Sequence, residues 1–197
     1  SIRGRVNKER ETLSDDDKEN VMNISKNDIK TLIPQAELEA KIKEMAAEIS
    51  KRHEGEELHL ICILKGGAYF MTELSKYITV PVTIDFMSAS SYGSGTTSSG
   101  VVKINKDLDE PIEGKHVIVV EDIIDTGYTL SYLLNFLKDR KPASLELCAI
   151  LNKPSRRIVD VHIDYYGFDV PDKFIVGFGL DADQKFRNLP YIGYIET

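Results

Sequence analysis

The sequence has no tryptophan and only two cysteines among its 197 residues. A disulfide framework or a zinc site needs more cysteines or a C-x-x-C pair, so neither is expected. Both cysteines lie in apolar stretches that are typical of β-strands, and we expect them to be buried and reduced. The four histidines also lack the spacing of metal ligands. These six residues are Cys62, Cys148, His53, His59, His116 and His162.

Long apolar runs and an excess of positive charge are also missing. No run approaches the roughly 20 residues that span a membrane, and no secretory signal is visible, so we expect a cytoplasmic protein. Lys and Arg total 25 against 32 for Asp and Glu, which gives a net charge of -7. This charge argues against nucleic acid or a membrane as a partner, because both attract clustered cations. An anionic small substrate then needs local cations, a metal ion or helix N-termini.

The chain length fits one domain with a sizeable core. Residues 1–20 are dense in charge and nearly free of apolar side chains, a composition typical of a solvated arm. Apolar residues then recur at helical spacing over 35–52, which predicts an amphipathic helix. Further helices are predicted over 68–77 and 126–139. The predicted strands are ELHLICIL, VPVTIDFMSASSY, VVKI, HVIVV, LELCAIL, VHIDYYGF and FIVGFG.

The alternation of strands with helices predicts an α/β fold with a mostly parallel sheet, because parallel neighbours need right-handed crossovers. Several of the strands are apolar throughout, as expected when helices cover both faces of the sheet. Ligands of such sheets bind at the carboxyl ends of the strands. Functional residues are therefore expected directly after the apolar runs.

One such place is the sequence VIVVEDIIDTGYTL, at 117–130. A turn lies there between a predicted strand and a predicted helix. Unpaired amides and the positive dipole end of a helix make an anion site. Gly127 permits close approach of the backbone, and two threonines add hydroxyl donors, so the turn suits one phosphate monoester. It lacks the Walker pattern. The turn consists of Asp125, Thr126, Gly127, Tyr128 and Thr129.

Three carboxylates accompany this turn. Glu121 and Asp122 can accept hydrogen bonds from two vicinal ribose hydroxyls or hold Mg²⁺. Asp125 lies nearest the phosphate, where a like charge would make it a better proton acceptor. Acidic pairs at strand ends are common in doubly wound folds, and a phosphate-accepting receiver domain also uses one. The whole string, rather than any single acid, favours the phosphate site.

Two other stretches are open to two interpretations. The sequence LKGG places Lys65 and Gly66 after a strand, where exposed amides can contact an anion; a plain turn with a surface lysine is the alternative. Ser91 and Tyr92 begin the Gly/Ser/Thr-rich tract before residue 101. Structureless tracts of this length are usually either functional or disordered, and an ordinary exposed linker is the alternative.

Three residues near the C-terminal strands carry similar alternatives. Lys153 follows a strand directly and is either a ligand donor or a lysine that extends to the surface. Phe174 is either a stacking platform or part of the core. Arg187 is either an anion fork or half of a surface salt bridge.

The stretch VVEDIIDTGYTL resembles the signature of the type I phosphoribosyltransferases, and more narrowly of the hypoxanthine-guanine phosphoribosyltransferases. The resemblance runs from about residue 29 to 195, with several motifs in order. It leaves a charged N-terminal arm over 1–28 outside a phosphoribosyltransferase domain over 29–197. It implies a mostly parallel twisted sheet flanked by helices, with a small hood formed by the N- and C-terminal segments.

The resemblance also implies a role for each acid. The phosphate turn would bind the 5′-phosphate of phosphoribosyl pyrophosphate. Glu121 and Asp122 would hold the ribose hydroxyls and a magnesium ion, and Asp125 would take the proton from purine N7. Asp181 would be a ligand of a second magnesium ion. The following residue, Ala182, departs from many relatives, which carry an aromatic there, and this affects the outer wall of the base pocket.

The remaining motifs receive roles in the same way. Lys65, Gly66 and Arg187 would contact pyrophosphate, and Ser91 with Tyr92 would lie on a loop that closes over the reaction centre. Lys153 would donate to O6 of the purine. Since a lysine offers only donors, it favours a 6-oxo base over adenine. Phe174 would stack on the purine, and the backbone at Ile175 would meet its exocyclic edge.

The predicted function is therefore magnesium-dependent purine salvage, in which hypoxanthine or guanine and phosphoribosyl pyrophosphate give IMP or GMP plus pyrophosphate. Family members usually assemble, so a homodimer or homotetramer is expected. The first alternative is a phosphoribosyltransferase for xanthine, adenine or orotate. The second is a regulator of the same fold that senses phosphoribosyl pyrophosphate and binds nucleic acid, which the overall acidity disfavours.

Overall fold

The computed structural model describes residues 24–91 and 102–196. Most of the predicted arm, Tyr92 and the Gly/Ser/Thr-rich tract after it lie outside the described residues. The helices are α1 (Gln35–Arg52), α2 (Gly67–Tyr77) and α3 (Tyr128–Lys138). The strands are β1 (Ile29–Ile33), β2 (Leu58–Ile63), β3 (Val82–Ser91), β4 (Val102–Lys106), β5 (His116–Ile124), β6 (Ser144–Asn152), β7 (Tyr165–Asp169), β8 (Phe174–Val176) and β9 (Ile192–Ile195).

Six strands form the main sheet in the order β4-β3-β2-β5-β6-β7. All neighbours in it run parallel except β4, which pairs antiparallel with β3. Parallel neighbours need a crossover connection, and α2 and α3 lie in such connections along the chain. The predicted α/β fold with a mostly parallel sheet is confirmed.

The main sheet separates two hydrophobic cores. Successive side chains of β5 point to opposite faces of the sheet. Ile118 and Val120 belong to the core that α1 and α2 cover. Val117 and Val119 belong to the core that α3 covers. Strands with both faces covered are apolar throughout, which explains the composition of this run.

Both cysteines are buried within the main sheet and are not disulfide-bonded. Burial, with a smaller effect of the negative charges of Glu121 and Asp122, raises the pKa of Cys62 to about 12. Burial also raises the pKa of Cys148. Both thiols therefore stay protonated at neutral pH, which agrees with the expectation of two structural cysteines. No helix among the described residues is both long and apolar enough to cross a membrane.

A second sheet of three antiparallel strands has the order β1-β9-β8. It joins the first described strand to the C-terminal segment, as expected for the hood. The sequence analysis missed β1 and β9 as strands. They are only five and four residues long, and they pair with each other across more than 150 positions of the chain. Such short strands depend on tertiary pairing rather than on local pattern.

Several element boundaries differ from the predictions, among them the predicted strand FIVGFG, of which only Phe174–Val176 forms β8. Two of the differences lie at the site. β5 continues to Ile124 instead of ending at Val120, because its pairing with β6 extends to the register Ile124 with Asn152. Polar side chains do not interrupt a backbone ladder. α3 begins at Tyr128 rather than at residue 126. Gly127 has a φ of +86°, a left-handed conformation that cannot belong to a right-handed helix.

The predicted strand VHIDYYGF forms only in its second half, as β7. Just before β7, Asp164 makes hydrogen bonds to β6 in place of the regular pairing of two strands. The Asp164 amide donates to the carbonyl of Leu147 at 3.0 Å, and its carboxylate Oδ2 accepts from the Leu147 amide at 2.8 Å. The carboxylate of Asp164 thus accepts a hydrogen bond that a backbone carbonyl would accept in a regular strand pair.

A buried histidine lies between two carboxylates just after α1. His53 Nδ1 is 2.6 Å from Glu56 Oε2, and its Nε2 is 2.8 Å from Glu146 Oε2. Tyr165 donates to the same Glu146 oxygen at 3.0 Å. Burial alone would lower the pKa of His53, but the hydrogen bonds to Glu56 and Glu146 outweigh it, so the pKa is raised. This stabilisation is complete below the unfolded pKa of a histidine and is lost as the pH rises through the folded value.

We predict that His53→Gln lowers the free energy of unfolding more at pH 6 than at pH 9. The expected loss at pH 6 is about 1–3 kcal/mol, the cost of leaving buried polar partners unsatisfied. The loss shrinks at pH 9 because His53 of the native protein is then neutral as well. Urea unfolding at both pH values measures the difference. His162→Gln is the control, because His162 is well exposed beside Asp164. Equal losses for His53→Gln at the two pH values would contradict the prediction.

Candidate active site

The predicted functional residues follow neighbouring strands of the main sheet. Cys62, Val120 and Cys148 lie side by side in β2, β5 and β6. Loop 64–66 follows β2, turn 125–127 follows β5 and Lys153 follows β6. Because these strands are parallel, the three segments lie at the same carboxyl edge, where open α/β sheets bind ligands.

The phosphate turn is held in place by the chain after β6. The carbonyl of Thr126 accepts from the amides of Ile158 and Val159, each at 3.0 Å. A Cβ on Gly127 would lie 2.5 Å from the carbonyl oxygen of Val159, so a larger residue would separate the two segments. The turn leads directly into the N-terminus of α3, 11 residues long, whose first amides suit an anion.

Glu121 and Asp122 lie in the last part of β5 and are half-buried. Asp122 Oδ1 accepts from the amide of Ile123 at 2.7 Å, and Glu121 Oε1 accepts from the amide of Asp122 at 3.1 Å. The second Asp122 oxygen lies against Gly66, where an added Cβ would be only 1.6 Å away. The loop after β2 and the acidic end of β5 are therefore in direct contact.

Two cations converge on one amide oxygen beside this loop. Lys65 Nζ and Arg187 Nη2 both donate to Gln184 Oε1, each at 3.1 Å. The same Arg187 nitrogen is 2.8 Å from Asp181 Oδ1, and Nη1 donates to the carbonyl of Gly179 at 2.7 Å. The structure thus brings three predicted residues, Lys65, Asp181 and Arg187, to one place. Gln184 was not predicted.

Lys153 is buried, with 1% of its surface exposed. Its Nζ donates to the carbonyl of Lys173 at 3.0 Å and lies 3.8 Å from Asp172 Oδ1. Burial lowers the pKa of Lys153, although the charges of Asp125 and Asp172 oppose the shift. The alternative of a lysine that extends to the surface is wrong, because almost none of the side chain reaches solvent.

Strand β8 begins next to this lysine. Phe174, the residue after Lys173, is half-buried and packs against the core of the small sheet, so core packing contributes to its position. Ile175 points the other way, into the core of the main sheet, and is buried. The expected contact of the Ile175 backbone with the base stays a prediction. β8 is an edge strand paired with β9 alone.

Two adjacent arginines that the sequence analysis did not single out hold Asp125. Arg156 Nε lies 3.1 Å from Asp125 Oδ1, as an ion pair rather than an aligned hydrogen bond. Arg157 Nε donates to the backbone carbonyl of Asp125 at 3.0 Å, and its Nη2 reaches Asn152 Oδ1 at 2.5 Å. The sequence signal was the pair itself, which follows Lys153 after only two residues.

Ser91 belongs to the strand next to β2 in the main sheet. It is exposed at the end of β3, where it pairs with Val102 of β4. Its predicted partner Tyr92 lies outside the described residues, so the closing loop stays a prediction.

Comparison with known proteins shows the family to which the chain belongs. A family model described as the phosphoribosyl transferase domain matches residues 29–183. The hypoxanthine-guanine phosphoribosyltransferase of Streptococcus thermophilus (strain CNRZ 1066) is 50% identical over 167 residues, which cover 85% of this chain and 93% of that protein. The hypoxanthine phosphoribosyltransferase of Salmonella typhimurium is 48% identical over 172 residues, covering 86% and 97%. This chain belongs to the phosphoribosyltransferase family.

A solved structure supports the same assignment. The hypoxanthine-guanine phosphoribosyltransferase of Bacillus anthracis has a TM-score of 0.81 to this fold at 49% identity, covering 85% of this chain and 98% of its own. The family resemblance drawn from the sequence is thus confirmed. The roles of individual residues in this phosphoribosyltransferase stay predictions.

The predicted magnesium ligands Glu121, Asp122 and Asp181 are hard oxygen donors, the type that Mg²⁺ prefers. Among the described residues, no three His, Cys, Asp or Glu side chains lie close enough to hold a metal together. These acids therefore do not form one preformed cage. Mg²⁺ commonly binds through one or two carboxylates plus substrate phosphates, and the resemblance assigns Asp181 to a separate ion. The donor set fits the metal in type, and how it is divided between two ions stays a prediction.

We predict that Gly66→Ala impairs phosphoribosyl transfer. The new methyl would lie 1.6 Å from Asp122 Oδ2, so the carboxylate or the loop must shift by on the order of 1 Å, a displacement that can cost roughly 100-fold in rate. Steady-state kinetics with phosphoribosyl pyrophosphate measure the effect. Gly55→Ala is the control for a strained glycine replacement away from the site: no heavy atom lies near its added methyl, but its φ of +84° disfavours alanine, so we expect a lower melting temperature with unchanged kcat/KM. The prediction is wrong if kcat/KM of Gly66→Ala stays within about threefold of the native value, which corresponds to roughly 0.7 kcal/mol of transition-state binding.

Proposed function

We propose that this phosphoribosyltransferase is a purine-salvage enzyme that acts on hypoxanthine or guanine. It transfers the 5-phosphoribosyl group of phosphoribosyl pyrophosphate to the base and gives IMP or GMP plus pyrophosphate. The observation that carries the proposal is the buried, donor-only amine of Lys153 close to Asp125, at the sheet edge that also holds the phosphate turn. The names of the two bacterial relatives, both given for hypoxanthine, support this choice of base.

The sugar phosphate is placed by the turn after β5. The 5′-phosphate accepts hydrogen bonds from the first amides of α3 and from the hydroxyls of Thr126 and Thr129, with the helix dipole adding attraction. Gly127 and Tyr128 contribute backbone amides. The ribose hydroxyls donate to Glu121 and Asp122, which lie a few residues upstream on the same strand.

The base is selected by a buried amine. Lys153 already donates one hydrogen bond, to the carbonyl of Lys173. An ammonium group has three donors, so it can also donate to O6 of hypoxanthine or guanine. Adenine presents an amino group at this position, and two donors would face each other. Phe174 supplies the stacking face, and the backbone of Ile175 meets the exocyclic edge.

The reaction forms one bond and breaks another at C1′. Purine N9 attacks C1′ of the sugar, and the bond from C1′ to the pyrophosphate oxygen breaks with its electron pair leaving on pyrophosphate. The proton on N7 passes to Asp125. Most of the rate gain comes from position and electrostatics, because the ionising C1′ centre needs little covalent help.

The departing pyrophosphate is received by the cations around Gln184. Lys65, Gly66 and Arg187 bind its oxygens with charge-assisted and backbone hydrogen bonds. Bound Mg²⁺ would add further neutralisation of this charge, held by Glu121 and Asp122 and, for a second ion, by Asp181. Closure of the loop that begins at Ser91 and Tyr92 would exclude water from the reactive sugar. A homodimer or homotetramer and a cytoplasmic location also stay predictions.

A panel of bases is the test of the proposed function. Pyrophosphate release is measured with phosphoribosyl pyrophosphate, Mg²⁺ and one of hypoxanthine, guanine, xanthine, adenine or orotate. We expect turnover with hypoxanthine or guanine, and kcat/KM for adenine and orotate lower by roughly 1,000-fold or more, as expected when a donor meets no acceptor. Turnover with xanthine alone supports the first alternative. The absence of turnover with every base, together with retained binding of phosphoribosyl pyrophosphate, supports a regulator.

Replacement of Lys153 tests the base contact itself. We predict that Lys153→Met lowers kcat/KM for both hypoxanthine and guanine by roughly 10- to 100-fold, since a hydrogen bond to a charged group contributes about 1.5–3 kcal/mol. Methionine keeps most of the buried volume, so the fold is preserved. Steady-state kinetics with each base measure the loss.

The control for this substitution is Lys138→Met, at an exposed position in the last turn of α3. It removes the same charge without approaching the sheet edge, and its kinetics should match the native enzyme. If Lys153→Met stays within about twofold for both bases, well under 1 kcal/mol of transition-state binding, the assignment of Lys153 is wrong.

A further inference from the structure

Four side chains of alternating charge form a series from the proposed proton acceptor to the proposed base contact: Asp125, Arg156, Asp172 and Lys153. Arg156 Nε is 3.1 Å from Asp125 Oδ1, and Arg156 Nη1 is 3.5 Å from Asp172 Oδ1. The same Asp172 oxygen is 3.8 Å from Lys153 Nζ. Arg156 therefore lies between two carboxylates, and Asp172 lies between two cations. This series is called the charge chain below.

The charge chain is built into a short and well-anchored segment. Arg156 ends the 3-10 turn Pro154–Arg156, and its amide donates to the carbonyl of Lys153 at 3.2 Å. Its side chain is 20% exposed, close to the 18% of Asp125. The ion pair is therefore much less screened by solvent than a surface pair would be. Asp172 is the exposed member.

Arg156 and Arg157 contact different parts of Asp125. Arg157 holds the backbone carbonyl, and so fixes the position of the peptide. Arg156 meets the carboxylate, which is the group that would react. A cation next to a carboxylate favours its ionised form. A proton acceptor must be ionised before the reaction, and the positive charge of Arg156 favours this form of Asp125. The negative charge of the incoming substrate phosphate disfavours it.

We propose that Arg156 is a positioning residue for the transfer reaction: it orients Asp125, keeps it ionised in the presence of the substrate phosphate, and links it through Asp172 to Lys153. The inference rests on the proposed function, in which Asp125 accepts the N7 proton and Lys153 donates to O6 of the same purine. The charge chain holds these two contacts at a fixed separation. A base that loses one contact is then also misplaced for the other.

The experiment compares Arg156→Gln and Arg156→Lys with the native enzyme across a pH series. Among the described residues, the charged groups found at Asp125 include Arg156, Lys153 and, through its backbone carbonyl, Arg157; Asp172 acts through Arg156. Arg156→Gln removes the cation, so we expect kcat with hypoxanthine to fall by roughly 10- to 100-fold at pH 7. We also expect the acidic limb of kcat/KM to move to higher pH. Arg156→Lys keeps the charge and should leave the limb in place while restoring most of kcat.

Two controls separate positioning from structure. Arg157→Gln removes the neighbouring guanidinium, and we expect it to raise KM for phosphoribosyl pyrophosphate and lower the melting temperature without moving the acidic limb. Arg140→Gln removes an arginine paired with Asp107 beyond the end of α3, and its kinetics should match the native enzyme.

The outcomes are distinguishable. If Arg156→Gln melts like the native enzyme, keeps kcat within about twofold and leaves the limb unmoved, the inference is overturned while the proposed function stands. If the native enzyme turns over none of the bases, the proposed function fails first. If Arg156→Gln does not fold, Asp172→Asn decides. Loss of kcat in Asp172→Asn with the limb moved supports the charge chain, and native kinetics in Asp172→Asn overturn it.

Discussion

Close backbone approach at three glycines is the constraint on which the rest of this site depends. A Cβ on Gly66 would meet the carboxylate of Asp122 at 1.6 Å, and one on Gly67 would meet the carbonyl of Val120 at 2.9 Å. A Cβ on Gly179 would lie 2.0 Å from the carbonyl of Gly66. The loop after β2 is thus wedged between the end of β5 and the turn after β8. This contact adds to the core that the two sheets share through Ile33, Ile175 and Ile192, and it brings the loop that carries Lys65 next to the acids of β5.

The protein is acidic overall, but its proposed site for anionic substrates contains cations that are paired locally with the acids. The net charge is -7, yet each acid considered at the sheet edge has a specific donor or cation beside it. Arg156 meets Asp125, and Arg187 meets Asp181. A half-buried ion pair is weakly screened by solvent, so its geometry matters more than the overall charge. This explains why net charge, which argues against bulk attraction to nucleic acid, did not predict phosphate binding.

The sequence predicted the parts of the fold that depend on local pattern. The helix over 35–52 matches α1, because its apolar spacing is long and regular. The phosphate turn was visible because Gly, Thr and Asp have specific roles at a strand–helix junction. Gln184 and Arg156 were missed because their partners are distant: Lys65 is 119 positions from Gln184, and Asp125 is 31 positions from Arg156. Such contacts exist only after the strands are placed in register, as do the pairs that form β1 and β9.

The contacts of Lys65 and Arg187 bear on the energetics of the proposed reaction. Lys65 and Arg187 are both engaged by Gln184, and Arg187 also holds Asp181. In the proposed reaction pyrophosphate oxygens replace these partners, so each new contact contributes only the difference between two hydrogen bonds. In that proposal Asp181, once separated from Arg187, would be available to hold Mg²⁺ by a hard oxygen donor. The two exchanges would then be coupled, because the group that binds the diphosphate is the group that occupies the proposed metal ligand.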